Sequence, residues 1–275
     1  MNDWLNLTTL VIATLAGLAV VGVIALVVHR SIRNLMLRLN KLEAMRSDFV
    51  ANVSHEVKTP VSAIKAAVET IQADPAMPRE DAERFTKIIA RQADRLSAIV
   101  DDLLSLARIE QHAGEIYAEL QSEPVVSVIE AACETCQAHA QEKKITLNHS
   151  CDPALKAPIN APLLEQATVN LIVNAIKYSS EGTTVEVCAR PRGREVLIEV
   201  TDEGRGIEPE HLPRLFERFY RTDKARSRAL GGTGLGLSIV KHVAEAHGGR
   251  VSVESEVGRG SMFCIHLLAD DPTAK

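Results

Sequence analysis

A histidine followed directly by a carboxylate stands in the stretch NVSHEVKTP, residues 52–60. Glu56 can accept a hydrogen bond from one imidazole nitrogen of His55 and leave the other nitrogen as a nucleophile. Thr59 lies on the same helical face four residues later, and Pro60 removes a backbone amide and predicts a kink beside the histidine. The zinc motif HExxH is excluded because a threonine stands in its fifth position. On this stretch alone, a reactive and a purely structural histidine are both open.

A second set of polar residues shares one face of the apolar stretch NLIVNAIKYS, residues 170–179. Asn170, Asn174 and Lys177 are spaced i, i+4 and i+7, which predicts one polar stripe on a helix. Polar groups on such a face need partners, and a magnesium-bound phosphate chain would satisfy an amide oxygen and an ammonium together. A polar ridge at a helix–sheet edge is the alternative.

Two glycine-rich segments accompany this helix. In DEGRGIEP, residues 202–209, Asp202 follows a predicted strand and is a single hydrogen-bond acceptor beside two glycines. The loop GGTGLGLS, residues 231–238, opens a predicted helix, where glycines and unpaired amides allow close approach to anionic oxygens. A P-loop is excluded because the chain has no GxxxxGK[ST] segment.

Two heptad-like seams predict a helical hairpin that positions His55. The turn between them is DPAMP, residues 74–78. The first seam comprises Leu35, Leu39, Leu42, Phe49 and Val53, and the second comprises Phe85, Ile89, Leu96, Ile99, Leu103 and Leu106. One hairpin has too little interior to bury both stripes, so we predict a homodimeric four-helix bundle, with a monomeric helical domain as the alternative.

Beyond the hairpin the pattern changes to alternating strands and helices. Residues 128–143, 161–179 and 235–249 read as helices, PEHLPRLFERF at 209–219 begins another, and QHAGEIYAELQSEP reads as a linker. Strands are predicted at KITLNHS, TTVEVCAR, EVLIEVTD, RVSVES and SMFCIHLL. The fold class is therefore α+β, with an antiparallel or mixed sheet on one side of a sandwich and helices on the other.

Residues 7–28 contain no charged side chain and are long enough, at about 33 Å of helix, to cross a bilayer. A cleaved signal peptide is the alternative, but Asp3 precedes the run where a basic segment would be expected. Basic residues follow the run at Arg30, Arg33, Arg38, Lys41 and Arg46, which predicts a cytoplasmic flank. We therefore expect a single-pass membrane protein whose residues after the span lie in the cytoplasm, with no extracytoplasmic domain.

The charge and the cysteine content of the chain limit the partners, cross-links and metal sites that can be expected. A net charge of −5 gives no electrostatic reason to expect nucleic acid. The 5 cysteines show no disulfide framework. The pair in CETC, with His139 nearby, is a weak metal signal, and helical spacing more simply places Cys133 and Cys136 on a buried side.

These features predict a domain order. It comprises a short extracytoplasmic tail at 1–6, a transmembrane helix at 7–28, a signalling helix at 29–46, a dimerisation hairpin that carries His55 at 47–110, a linker at 111–122, an α+β domain at 123–269 and a C-terminal tail at 270–275.

Five motifs in this order resemble the H, N, G1, F and G2 boxes of bacterial sensor histidine kinases. They are FVANVSHEVKTP, NLIVNAIKYS, DEGRGI, LFERFYR and GGTGLGLS, and the similarity covers roughly residues 46–268. The run LFERFYRTDKARSR is most similar to the phosphate-regulon sensor branch. The resemblance implies an ATP-binding domain of the histidine kinase, gyrase and Hsp90 type, ATP and Mg²⁺ as cofactors, and a response-regulator aspartate as the phosphoryl acceptor.

The resemblance also implies residue roles. His55 would be the autophosphorylated nucleophile, Glu56 its base or orienting group, and Thr59 the residue that supports dephosphorylation of the regulator. Asn174 would hold Mg²⁺, and Asp202 would accept from the adenine amino group. Other residues of the nucleotide site and its lid would be Asn170, Lys177, Tyr178, Gly204, Gly206, Phe216, Arg218, Phe219, Arg221, Gly232, Thr233, Gly234, Leu235 and Gly236, with Arg218 and Arg221 as γ-phosphate contacts.

Two other functions use similar motifs. An ATP-hydrolysing switch of the gyrase or Hsp90 type would need a water-activating carboxylate, for which Glu165 is the candidate, but it leaves His55 unexplained. A membrane-bound dimeric scaffold with a decayed kinase site conflicts with the intact motifs. Val57 and Lys58 replace the Leu and Arg that are commoner beside the histidine, and both keep the chemical character.

Overall fold

The computed structural model describes residues 2–222 and 232–270, without the side chains of residues 2–25, 27, 38, 41, 42 and 44–46. The chain divides into two compact units, Met1–His55 and Glu56–Lys275. Helix α1 spans Asn2–Ala73, and Pro60 lies inside it. The predicted tail beyond Asp270 lies outside the described residues.

Within the residues that the structure describes, no helix is both long and apolar enough to cross a bilayer. The predicted membrane span at 7–28 falls almost entirely on side chains outside that description.

The predicted hairpin turn is confirmed. Helix α1 ends at Ala73 and α2 spans Arg79–Ala118, so DPAMP occupies the whole connection. Within the turn the amide of Ala76 donates to Asp74 Oδ1 at 3.1 Å, and Pro78 precedes the first helical residue. Two acidic residues, Glu80 and Asp81, lie in the first turn of α2, where their negative charges interact favourably with the positive end of the helix dipole.

The predicted linker at 111–122 is wrong for most of its length, because α2 continues as far as Ala118. The apolar residues Ile109, Ala113 and Ile116 follow at helical spacing and pack in or against the main core. Gly114 is the only residue of low helix propensity there, and its cost of about 1 kcal/mol is smaller than the gain from that burial.

The domain that is predicted to bind ATP, residues 123–269, is an α+β sandwich, as expected. Its main sheet has the strand order β2-β4-β5-β7-β6, in which only the β2–β4 pair is parallel. The strands are β2 (Thr146–Cys151), β4 (Thr184–Arg192), β5 (Glu195–Asp202), β6 (Arg250–Glu256) and β7 (Gly260–Leu268). Helices α3 (Val125–Glu142), α4 (Ala161–Tyr178) and α5 (Gly236–Ala246) share one continuous core with the sheet.

A second, two-stranded sheet was missed by the sequence analysis. Strand β1 (Gln121–Pro124) pairs antiparallel with β3 (Lys156–Ile159). Each strand has only four residues and contains a proline, so neither shows the alternation by which strands are recognised.

The helix predicted to begin in 209–219 is also wrong. The structure has only a 3₁₀ turn there, Leu212–Arg214. Pro213 lacks an amide donor, and Phe219 has a φ of 62°, which no α-helix accommodates. The segment instead forms a short irregular connection, and its last part together with the residues that follow, 215–222, is called the lid segment or lid below.

Part of the second seam packs within its own chain, so not all of it is available to a dimer partner. Leu106 and Ile109 are each 2% exposed and belong to the same core cluster as α3, α4 and α5. Val100 and Leu104 remain exposed on the same helix. One face of α2 therefore packs on the ATP-binding domain of its own chain, while another apolar face stays open.

Candidate functional site

A cavity of about 300 Å³ lies between α4, the end of β5 and the glycine loop that opens α5. Predicted site residues that line it are Asn170, Asn174, Lys177, Tyr178, Asp202, Gly206, Arg221, Gly232, Thr233, Gly234 and Gly236. The lining also includes Asp102 from α2, together with Val173, Arg205, Ile207, Leu215, Tyr220, Thr222, Leu237, Ser261 and Phe263. Four of the five sequence motifs thus meet at one cavity.

Helix α4 supplies the polar face. Asn160 caps the helix, and its Oδ1 accepts from the amide of Leu163 at 3.2 Å. Leu171 and Ile172 are buried in the core, whereas Asn170, Asn174 and Lys177 line the cavity. The amide nitrogen of Asn170 is buried and has no hydrogen-bond partner among the described residues. The helix therefore presents an unsatisfied polar group where a ligand would bind.

Lys177 lies at the end of that face, and its surroundings favour the neutral amine over the charged ammonium. Burial is the largest cause, and together with the nearby charges of Arg221, Arg95 and Lys143 it lowers the pKa of Lys177 to about 8. An anion in the cavity would oppose all of these effects.

Asp202 closes the other end of the cavity. Its carboxylate is 5% exposed and accepts from the amide of Gly204 at 2.8 Å. Burial raises the pKa of Asp202, and hydrogen bonds from the amides of Gly204 and Ser261 oppose that rise. A Cβ on Gly204 would lie 2.6 Å from Asp202 Oδ1, so only glycine fits beside the carboxylate.

The lid segment and the glycine loop are joined by their backbones. The amide of Phe219 donates to the carbonyl of Gly234 at 2.8 Å. Gly234 has a φ of 78°, and a Cβ there would lie 3.0 Å from Phe219 Cα. Arg221 Nη2 donates to the carbonyl of Thr233 at 2.6 Å, which fastens the two segments a second time.

Some predicted nucleotide-site residues lie outside the cavity lining. Gly204 lies beneath Asp202, Phe216 packs edge-on against Phe263, and Leu235 is fully buried before α5. Arg218 donates instead to Glu110 of α2 and lies 3.2 Å from His242 Nε2. Arg218 thus connects the lid to the hairpin in this structure.

The hairpin residues are also located. His55 is exposed on α1, and Thr59 is half-buried one turn later. Glu56 Oε2 accepts from Arg221 at 3.1 Å and from Arg95 of α2 at 3.0 Å. The residue after His55 is therefore ion-paired to the lid of the cavity.

The sequence analysis missed Asp102 and Arg95. Both lie on α2 between the apolar residues of its seam. Charged residues at such positions ordinarily face solvent, so neither was expected to belong to a site. Burial raises the pKa of Asp102, while the hydroxyl of Thr233 donates to it at 2.7 Å and opposes the rise. The partners of both residues lie far away along the chain, so no local sequence pattern could have predicted these contacts.

Cys133 and Cys136 lie on the buried face of α3. Burial raises the pKa of their thiols to about 11 and about 12. Within the described residues, no group of His, Cys, Asp and Glu side chains has the arrangement of a metal site.

Comparison with known families matches this arrangement. Residues 45–112 match the His Kinase A (phospho-acceptor) domain, and residues 159–271 match the histidine kinase-, DNA gyrase B- and HSP90-like ATPase family. The chain belongs to the sensor histidine kinases. The family predicted from the five motifs is confirmed, and this sensor histidine kinase carries both domains of an ATP-dependent protein histidine kinase.

Similar proteins carry related names. The sensor-like histidine kinase SenX3 of Mycolicibacterium smegmatis is 40% identical over 227 residues, which cover 82% of this chain and 58% of SenX3. The sensor protein SrrB of Staphylococcus aureus is 32% identical over 228 residues, which cover 83% of this chain and 39% of SrrB. This histidine kinase therefore spans about half the length of the curated relatives it matches.

Among solved structures, full-length ShkA in complex with AMPPNP is similar to this kinase, with a TM-score of 0.57 and 28% identity. The similarity covers 80% of this chain and 46% of the ShkA chain.

Proposed function

We propose that this sensor histidine kinase binds ATP in the cavity and transfers the γ-phosphoryl group to His55. The observation that carries the proposal is the ion pair between Arg221, which lines the cavity, and Glu56, which follows His55 in the chain. The pair links the lid of the nucleotide site to the helix that bears the predicted phosphoryl acceptor.

The cavity offers distinct groups to the two ends of ATP. We propose that Asp202 accepts from the adenine amino group, since it is a buried acceptor beside two glycines. The phosphates would lie near Lys177, Arg221 and the glycine loop, where cations and backbone amides favour anions. AMPPNP binding by the similar kinase ShkA supports this use of the fold.

The same cavity fits a magnesium ion. Asn170 and Asn174 line it, and the oxygen of a side-chain amide is among the ligands that Mg²⁺ prefers. We propose that Asn174 holds the ion. When bound, Mg²⁺ would neutralise charge on the phosphate chain.

In the proposed reaction, one imidazole nitrogen of His55 attacks the γ-phosphorus, and the bond between that phosphorus and the β–γ bridging oxygen breaks to release ADP. Glu56 accepts the imidazole proton. Arg221 and Lys177 stabilise the negative charge of the transferring phosphoryl group. Positioning and charge neutralisation, rather than covalent chemistry by the protein, supply most of the acceleration.

We further propose that phosphohistidine passes its phosphoryl group to an aspartate of a response regulator. His55 is exposed on its helix, so a second protein has access to it. Thr59, one turn away, would support the reverse reaction in which the regulator loses its phosphoryl group.

The assembly and location are also proposals. The exposed apolar residues Val61, Val100 and Leu104 on the hairpin support a homodimeric four-helix bundle. The apolar composition of residues 7–28 supports a single-pass anchor in the bacterial inner membrane with the catalytic part in the cytoplasm. Similarity of the lid sequence to the phosphate-regulon branch supports a phosphate-responsive role.

An ATP-hydrolysing switch of the gyrase or Hsp90 type is less well supported. It depends on a carboxylate that activates water at the γ-phosphate, and Glu165 is not among the residues that line the cavity. The ion pair between Glu56 and Arg221 also has no part in such a reaction.

The test is labelling of the purified full chain with ATP that carries radioactive γ-phosphate. The wild type should acquire an acid-labile, alkali-stable label, and His55→Gln should acquire none while still binding ATP. Asn174→Ala should lose Mg²⁺-dependent ATP binding in calorimetry. Label that persists on His55→Gln would refute the assignment of the acceptor.

A further inference from the structure

One oxygen of Glu56 is shared by two arginines from different parts of the molecule. Arg95 Nη2 on α2 lies 3.0 Å from Glu56 Oε2, and Arg221 Nη2 on the lid lies 3.1 Å from the same atom. The side chains of Arg95, Arg221 and Glu56 are 8%, 5% and 15% exposed. Both pairs are therefore shielded from water, where charge-assisted hydrogen bonds are strong.

The two arginines differ in what else they can reach. Arg221 lines the cavity, and its Nε and Nη1 atoms are buried without acceptors among the described residues. Arg95 does not belong to the cavity lining and lies on the hairpin, as Glu56 does. A triphosphate in the cavity would therefore compete with Glu56 for Arg221 but would leave Arg95 in place.

The local charge favours such an exchange. Lys177, Arg221 and Arg95 lie close enough for each arginine to lower the pKa of Lys177, and Glu56 is the carboxylate that pairs with both arginines. Burial also lowers the pKa of Arg221, and the charge of Arg95 acts in the same direction. Phosphate oxygens would relieve this excess of positive charge by binding Arg221.

We propose that Arg95 is a positioning residue for autophosphorylation, which holds the Glu56 carboxylate in place to receive the His55 proton after Arg221 has turned to the phosphates. The proposal rests on the proposed function, since it concerns the same transfer to His55. Arg95 acts only through Glu56 and does not contact ATP.

The test measures the initial rate of His55 labelling against ATP concentration in the full chain. Arg95→Gln should lower kcat about 10- to 100-fold and leave KM for ATP unchanged. This is the change in rate expected from the loss of one charge-assisted hydrogen bond. Arg95→Lys, which keeps the positive charge, should recover part of the rate. The matched control is Arg91→Gln, one turn earlier on α2. The Arg91 side chain is exposed and donates to the carbonyl of Lys87, so the rate should stay at the wild-type value.

A double-mutant cycle separates positioning from a general structural effect. In a Glu56→Gln background, Arg95→Gln should lower kcat by less than about twofold, because the partner through which Arg95 acts is already lost. An equal loss in both backgrounds, or a rise in KM with kcat unchanged, would overturn the role of Arg95 while leaving His55 as the acceptor. A wild-type chain that acquires no label at His55 would overturn the proposed function and this inference together.

Discussion

The hydroxyl of Thr233, in the glycine loop before α5, donates a 2.7 Å hydrogen bond to Asp102 Oδ2 on the second hairpin helix. The same hydroxyl accepts from the amide of Leu235 at 3.2 Å. A threonine of the ATP-binding loop is thereby fastened to the phosphotransfer hairpin. Because Asp102 also lines the cavity, this contact places a carboxylate in the site proposed for a polyanion.

We predict that Asp102→Asn tightens ATP binding at pH 8. Asparagine keeps an oxygen that accepts from Thr233 but removes the negative charge, and relief of about 1 kcal/mol of repulsion corresponds to about fivefold in Kd. Asp101→Asn is the matched control, because that neighbour is exposed and does not line the cavity. Equal tightening by both variants in calorimetry would show a general charge effect and would contradict the prediction.

A second prediction concerns pH. The pKa of Lys177 is lowered to about 8, so its ammonium is present below that pH and is lost above it. The affinity for ATP should therefore fall as pH rises from 7 to 9.5, by about tenfold for each pKa unit that bound ATP restores to Lys177. Lys177→Arg should flatten this dependence because the guanidinium keeps its charge. A wild-type Kd that stays constant over this range would contradict the prediction.

The third prediction tests the close approach at Gly206. This residue has a φ of 71°, and a Cβ there would lie 2.1 Å from the carbonyl oxygen of Glu256. Gly206→Ala should lower the free energy of unfolding by about 2 kcal/mol or more, since both the backbone strain and the clash oppose it. Gly258→Ala shares the positive φ of 82° but has open space around its Cβ, so its loss should be about 1 kcal/mol. Thermal melts of the two variants that coincide would disprove the steric argument.

The parts of the fold that local chemistry determines were predicted correctly. The predicted strands TTVEVCAR and EVLIEVTD are β4 and β5, which pair antiparallel around a turn where Gly193 has a φ of 63°. The turn at DPAMP follows from its two prolines. The polar face of α4 follows from helical spacing alone, and Asn170, Asn174 and Lys177 do line one cavity.

The parts that depend on tertiary contacts were not predicted. The seam of α2 fits a dimer partner and an ATP-binding domain equally well by composition, so the burial of Leu106 and Ile109 in the core of that domain had no local signal. For the same reason, Arg95 and Asp102 could not be distinguished from ordinary surface charges. Their partners, Glu56 and Thr233, are 39 and 131 residues away along the chain.

The last prediction concerns the reaction that ends the signal. Thr59→Ala should leave autophosphorylation of His55 within about twofold of wild type, because Thr59 is not among the residues that line the nucleotide cavity. It should slow dephosphorylation of a receiver domain that the kinase has itself phosphorylated, by about tenfold, since one hydrogen-bonding group at the acceptor helix is lost. Thr70→Ala is the matched control on the same helix, where the exposed hydroxyl donates to the carbonyl of Ala66. If both variants dephosphorylate the receiver at the wild-type rate, Thr59 has no role in that step.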